Sequence, residues 1–114
     1  MADTKFSKDY RITKQAEIDS VYKTGKRVGG ALLKLIIKPN NLSNSRLAIS
    51  VPRKLCNSVR RNRWRRLIRE SFRLNKADFV NGVDILAIPL VSPDALKMQS
   101  VAGEFLTLLT KFRT

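Results

Sequence analysis

Residues 53–73, RKLCNSVRRNRWRRLIRESFR, hold nine cations and one acid, a net of +8 in a chain whose total is +14. The cations are Arg53, Lys54, Arg60, Arg61, Arg63, Arg65, Arg66, Arg69 and Arg73; the acid is Glu70. From Asn57 onward the run has seven arginines and no lysine. A guanidinium stays charged, forks onto phosphate oxygens and stacks on bases, so the chemistry on offer is phosphate recognition. Like charges at helical neighbour spacing destabilise a free helix by roughly a few tenths of a kcal/mol per pair. A run that accepts this points to a polyanion that neutralises it. The alternative is a solvated basic face, but such faces usually mix Glu with Lys.

Little else in the chain can react. There is no histidine, which removes imidazole acid–base chemistry and most zinc sites. The nine acids are scattered; the nearest pair, Glu17 and Asp19, lies two apart on a helix and does not converge. Cys56 is the only cysteine, so no internal disulfide forms and a reducing compartment is expected. No glycine-rich phosphate loop is present. These residues describe a nucleic-acid-binding domain, not a self-sufficient enzyme.

Positioning such a cation run requires a scaffold. One hundred and fourteen residues with 43% hydrophobic content make one domain with a real core. Residues 1–11 read as a loose polar lead without an apolar signal segment, and no stretch is long enough to span a bilayer. Thr13 is expected to cap a short helix through Lys23, with Gly25 as its stop and Ile18, Val21 and Tyr22 as its apolar face. Gly29-Gly30 marks a turn or bulge. Strands are expected over 31–38, 46–51 and 83–90. In the second of these, Leu47, Ile49 and Val51 face one side and Arg46, Ala48 and Ser50 the other, a shallow surface open to a ligand.

The arginine run reads as a helix capped by Asn57 or Ser58. At about 100° per residue, Trp64, Leu67, Ile68 and Phe72 share one arc. Asn62, Arg65, Arg66, Arg69 and Arg73 share the other. Arg60, Arg61 and Arg63 fall outside that arc, in first turns expected to project past the core. A last helix is expected from Ser92-Pro93, with a stripe of Val101, Phe105, Leu108, Leu109 and Phe112. The order helix, strand, strand, helix, strand, helix predicts an α+β, two-layer α/β sandwich with the strands around the arginine helix parallel. Arg53 and Lys54 beside that helix's N-terminus suit an anion, or are an ordinary loop. Tyr22 suits base stacking, or plain core packing.

Residues 46–73, RLAISVPRKLCNSVRRNRWRRLIRESFR, closely resemble the signature of the bacterial ribonuclease P protein subunit. Arg61-Asn62-Arg63 stands as that family's RNR motif, continued by Arg65-Arg66 and Arg69-Glu70. Val21 to Gly25 resembles its first helix and terminal glycine, and Val83 to Leu86 its strand after the arginine helix. The resemblance implies an αββ(β)αβα order with a left-handed β–α–β crossover, against the usual hand. It implies a ribonuclease P RNA as partner, which with Mg²⁺ removes the 5′ leader of precursor tRNA. No catalytic residue is then expected in this chain, and Mg²⁺ is expected mainly on the RNA. By matching positions, Arg61, Asn62, Arg63, Arg65, Arg66 and Arg69 face the RNA subunit, with Arg53, Lys54 and Asn57 nearby. Ile18, Tyr22, Ile36 and Ser50 line the leader cleft. Ile18 stands where the family often has an aromatic, and another is usual near Ile36, which leaves Tyr22 to carry stacking. Ala48 and Cys56 stand where it usually has glycine.

The expectation is a cytoplasmic protein subunit of an endoribonuclease that binds no membrane and no DNA. Two rivals stand beside it: another basic RNA-binding module, ribosomal or chaperone, and a protein-only nuclease.

Overall fold

The computed structural model describes residues 10–42, 44–55, 57–75, 82–94 and 96–113. Cys56 and most of the connector after the arginine helix lie outside them. The elements run α1 (Gln15–Thr24), β1 (Lys26–Gly29), β2 (Leu33–Pro39), β3 (Arg46–Ile49), α2 (Ser58–Leu74), β4 (Val83–Pro89) and α3 (Met98–Arg113). The four strands form one sheet in the order β1-β2-β4-β3. β2 is antiparallel to β1 and β4, while β3 runs parallel to β4, as the strand–helix–strand unit predicts.

Strand alternation divides the side chains between two faces. Leu33, Leu35 and Ile37 of β2 and Val83, Ile85 and Ala87 of β4 point to one side, where they meet α2 and α3. The predicted apolar arc is the buried one: Trp64 and Ile68 have 0% exposure, Phe72 2% and Leu67 8%. The Trp64 indole Nε1 also donates to the Val91 carbonyl at 2.8 Å, so this large side chain is buried without an orphaned donor. Truncating it would cost about 3–5 kcal/mol. The α3 stripe closes the same core through Val101, Phe105, Leu108 and Leu109, with Phe112 partly buried against it.

Among the described helices, α1 alone packs on the other face. A smaller cluster of Ile12, Val21, Ile36, Ala48 and Leu86 holds the helix to the sheet, with Ile18 and Ile88 partly buried at its border. The helix ends where it meets the sheet. A Cβ on Gly25 would stand 2.6 Å from the Val21 carbonyl oxygen and 2.7 Å from Ile36 Cγ2. Its φ of −73° is open to any residue, so space, not backbone geometry, demands glycine here.

Four details differ from the sequence reading. β1, a strand that the αββ(β)αβα order of the resemblance allowed but the residue patterns left as a turn, pairs with β2 through Gly29-Gly30. Tyr10 and Arg11 are not loose: Arg11 bridges to Leu47, and the Ile12 amide donates to the Leu47 carbonyl at 3.0 Å. Lys14, not Thr13, is the N-cap of α1, and no side chain caps it. α3 starts at Met98, because Pro93 and Asp94 belong to a turn in which the Leu96 amide donates to the Pro93 carbonyl.

Candidate RNA interface

α2 is capped as expected: the Asn57 Oδ1 accepts from the Arg60 amide at 3.0 Å. With the apolar arc seated on the sheet, Asn62, Arg66, Arg69 and Arg73 are exposed and Arg65 is half-buried. Arg65 Nη1 donates to Asn62 Oδ1 at 3.3 Å. Arg73 is paired with Glu70 on the same helix, which pushes the Arg73 pKa up and holds the Glu70 carboxyl below its usual range.

The first turns do not project freely. Arg60 Nε pairs with Asp94 at 2.9 Å. Arg63 donates from Nη2 to the Leu96 carbonyl at 2.7 Å and from Nε to the Pro93 carbonyl at 3.3 Å. Arg63 therefore pins the connection between β4 and α3. Arg61 is half-buried, and its Nε has no acceptor among the described residues. Of residues 61–63, Arg61 is half-buried, while Asn62 and Arg63 are exposed, Arg63 with two donors already bonded. Arg53 and Lys54 stand exposed in the turn before α2, where the Leu55 amide donates to the Pro52 carbonyl.

The leader-cleft candidates divide as well. Tyr22 is 50% exposed and stands on the face that carries α1, opposite α2 and α3. Ile18 is half-buried at the border of the α1 cluster. Ser50 is exposed, continuing the Ala48 side of β3 by alternation. Ile36 has 0% exposure; it supports α1 from below and presents no surface to a ligand. Beyond α1, no described helix covers this face. Lys34 and Ile88 are Cα partners there and both are half-buried.

A pocket of about 220 Å³ joins the two surfaces. Its lining joins Arg65 and Arg69 of α2, Ile18 of α1, Leu47, Ala48 and Ile49 of β3, and Arg11, Ile12 and Thr13 of the segment before α1. Apolar floor and guanidinium rim together suit a nucleotide, whose base is flat and apolar on its faces and whose phosphate is anionic. Sequence reasoning missed Arg11, since it lies far from the arginine run and reaches the pocket only through its bridge to β3.

Three of the described carboxylates are committed elsewhere. Glu17 and Asp84 both bond Arg46, and the Glu104 carboxylate accepts the amides of Ala31, Leu32 and Leu33 at 2.8–3.1 Å. No group of three or more His, Cys, Asp or Glu among the described residues is placed to hold a metal ion. No described helix is long and apolar enough to cross a membrane.

The family model described as Ribonuclease P matches residues 6–113. The chain belongs to the bacterial ribonuclease P protein family. It is 38% identical over 104 residues to the ribonuclease P protein component of Syntrophus aciditrophicus, covering 91% of this chain and 87% of that one. It is 48% identical over 82 residues to that of Clostridium kluyveri, covering 69% and 72%. Among solved structures, the ribonuclease P protein of Thermotoga maritima superposes with a TM-score of 0.81 at 30% identity, covering 89% of this chain and 96% of that one. That of Staphylococcus aureus gives 0.78 at 30% identity, covering 91% and 95%. The mixed α+β fold, with three helices and a four-stranded sheet, is the ribonuclease P protein fold. As a ribonuclease P protein component, the chain is part of an endoribonuclease with an RNA partner.

Proposed function

We infer that this chain binds the RNA subunit of ribonuclease P through the outer face of α2 and guides the 5′ leader of precursor tRNA across the open sheet face. The observation that carries the reading is the shared pocket: Arg65 and Arg69 line the same cavity as Ile18 and Ala48. One polynucleotide surface thus runs from the arginine helix into the cleft beside α1. In this reading Asn62, Arg65, Arg66 and Arg69 contact phosphates of the RNA subunit. Arg53, Lys54 and Asn57 lie where that surface meets the leader path. Tyr22, Ile18 and Ser50 line the path itself.

The hydrolysis belongs to the RNA. Mg²⁺, held by RNA oxygens, would activate the water that attacks the scissile phosphate. This chain contributes cations and shape: it lowers the repulsion between two polyanions and holds the leader in place. Precursor tRNA in a bacterium is a cytoplasmic substrate, and the protein works beside it.

Reconstitution tests the reading. Adding the protein to a bacterial ribonuclease P RNA at low Mg²⁺ should restore leader cleavage that the RNA alone does not perform there. No gain over RNA alone would remove the proposed role.

A further inference from the structure

Arg27 lies outside the arginine helix, as the second residue of β1 and the Cα partner of Ile36. That register turns its side chain to the face that carries α1. Its guanidinium carbon stands 4.9 Å from the centroid of the Tyr22 ring, and its Nη2 donates to the Tyr22 carbonyl at 2.9 Å. The carbonyl is one of the four at the end of α1 that lack a helical partner, so one guanidinium caps the helix and covers the ring. Both contacts hold Arg27 in place before any ligand arrives. Its other donors have no acceptor among the described residues. Tyr22 nevertheless stays 50% exposed. Among the described residues it is the only aromatic ring on this face, since Tyr10 packs against Phe72 in the opposite core.

A single-stranded nucleotide presents an aromatic face and an anion, one beside the other. We propose that Arg27 extends the leader reading at Tyr22 into one nucleotide subsite: where an unpaired leader base stacks on the uncovered side of Tyr22, Arg27 takes the phosphate of the neighbouring nucleotide. The subsite deepens the leader reading above and rests on it. It also requires arginine, because a lysine supplies the charge but neither the planar stack nor the fork. Coupling follows from the geometry. Removing the ring takes away the stack that orients Arg27, and removing Arg27 takes away the group that fixes the ring.

The test uses holoenzyme reconstituted with a bacterial ribonuclease P RNA. Binding of precursor tRNA and of leaderless mature tRNA is measured over a salt series for R27A, R27K, Y22A and the double variant. Thermal midpoints of the free proteins are measured alongside. Stacking on one ring predicts a loss of about tenfold in the precursor-to-mature preference for Y22A and for R27A. The double variant should be little worse than either. R27A should also lower the leader-dependent salt slope by about 0.7, the value for one single-strand phosphate contact, whereas R27K keeps the slope but loses preference. The subsite is overturned if R27A matches wild type, or if the double loss is the product of the single losses. In both cases a selective Y22A defect leaves the leader reading standing. A lowered melting point in R27A with equal loss for both tRNAs makes the pair a fold staple and also overturns it. An unchanged preference in every variant, Y22A included, removes the leader cleft and the subsite together.

Discussion

Arg46 and Asp84, Cα partners across β3 and β4, meet through two parallel hydrogen bonds, Nε to Oδ1 at 2.9 Å and Nη2 to Oδ2 at 2.8 Å. The same guanidinium reaches Glu17 of α1 at 3.1 Å, so it ties the helix to the sheet on the face where the cleft lies. The bond to Asp84, more than that to Glu17, pushes the Arg46 pKa up. The Asp84 side chain is 8% exposed, and Arg46→Ala would leave its carboxylate with Asn40 Nδ2 as its remaining side-chain donor among the described residues. We expect that variant to lose about 3 kcal/mol of stability in urea unfolding. Glu17→Gln, at a side chain 40% exposed, should lose less than about 1 kcal/mol. Equal losses would show that Asp84 is not the anchor.

The arginines of α2 should separate into two classes. Replacing Arg65, Arg66 and Arg69 by alanine should weaken RNA-subunit binding and flatten its salt dependence by about 0.7–0.9 log units per lost phosphate contact. Arg63→Ala should instead lower the melting point, because Arg63 spends its donors on the Pro93 and Leu96 carbonyls. A filter-binding series in salt, set beside thermal melts, reads both. An unchanged slope in the triple variant would show that those side chains point away from the RNA.

Gly25→Ala forces a methyl group against the Val21 carbonyl and Ile36. The first of these is backbone and cannot rotate away. Overpacking of this kind costs about 1–3 kcal/mol, measurable by denaturant unfolding, and the strain falls where α1 meets the cleft. A neutral variant would mean that α1 shifts freely.

Asp94 gives a pH signature. The hydrogen bond from Arg60, with a second from Ser92, holds its carboxyl below the usual range. A depressed value in the folded state means that the contact contributes above the unfolded pKa and is lost as pH falls through the folded one. The side-chain carboxyl carbon should therefore titrate with a midpoint below the ordinary value of about 3.9, and Arg60→Ala should move it up. A midpoint indifferent to Arg60 would show that the pair does not persist in solution.

Local chemistry was legible in the residues, and distant chemistry was not. The Asn57 cap and the buried arc of α2 follow from spacing along one helix, and the two faces of β3 from alternation. β1 escaped because its four residues expose all but Val28 and become a strand only by pairing with β2. Ser92-Pro93-Asp94 carries the local signs of a helix start, yet the Pro93 carbonyl serves Leu96 and Arg63 instead. Arg46 and Asp84 are 38 residues apart and Arg63 and Leu96 are 33 apart, so neither pairing leaves a mark in composition or period. For the site, the cation face was visible as a stripe. The pocket that joins it to the cleft was not, because Arg11, Ile18, Ala48 and Arg65 come from four segments.

The Glu104 carboxylate that receives the amides of Ala31, Leu32 and Leu33 lies 71 to 73 residues downstream of them. During synthesis, the turn that carries Arg27 and Lys34 on its two arms leaves the ribosome long before its acceptor does. Those three amides must stay with water until the closing helix emerges and docks. Closure of that turn is thereby timed to follow translation of residue 104, and a polypeptide stalled earlier holds it unsealed.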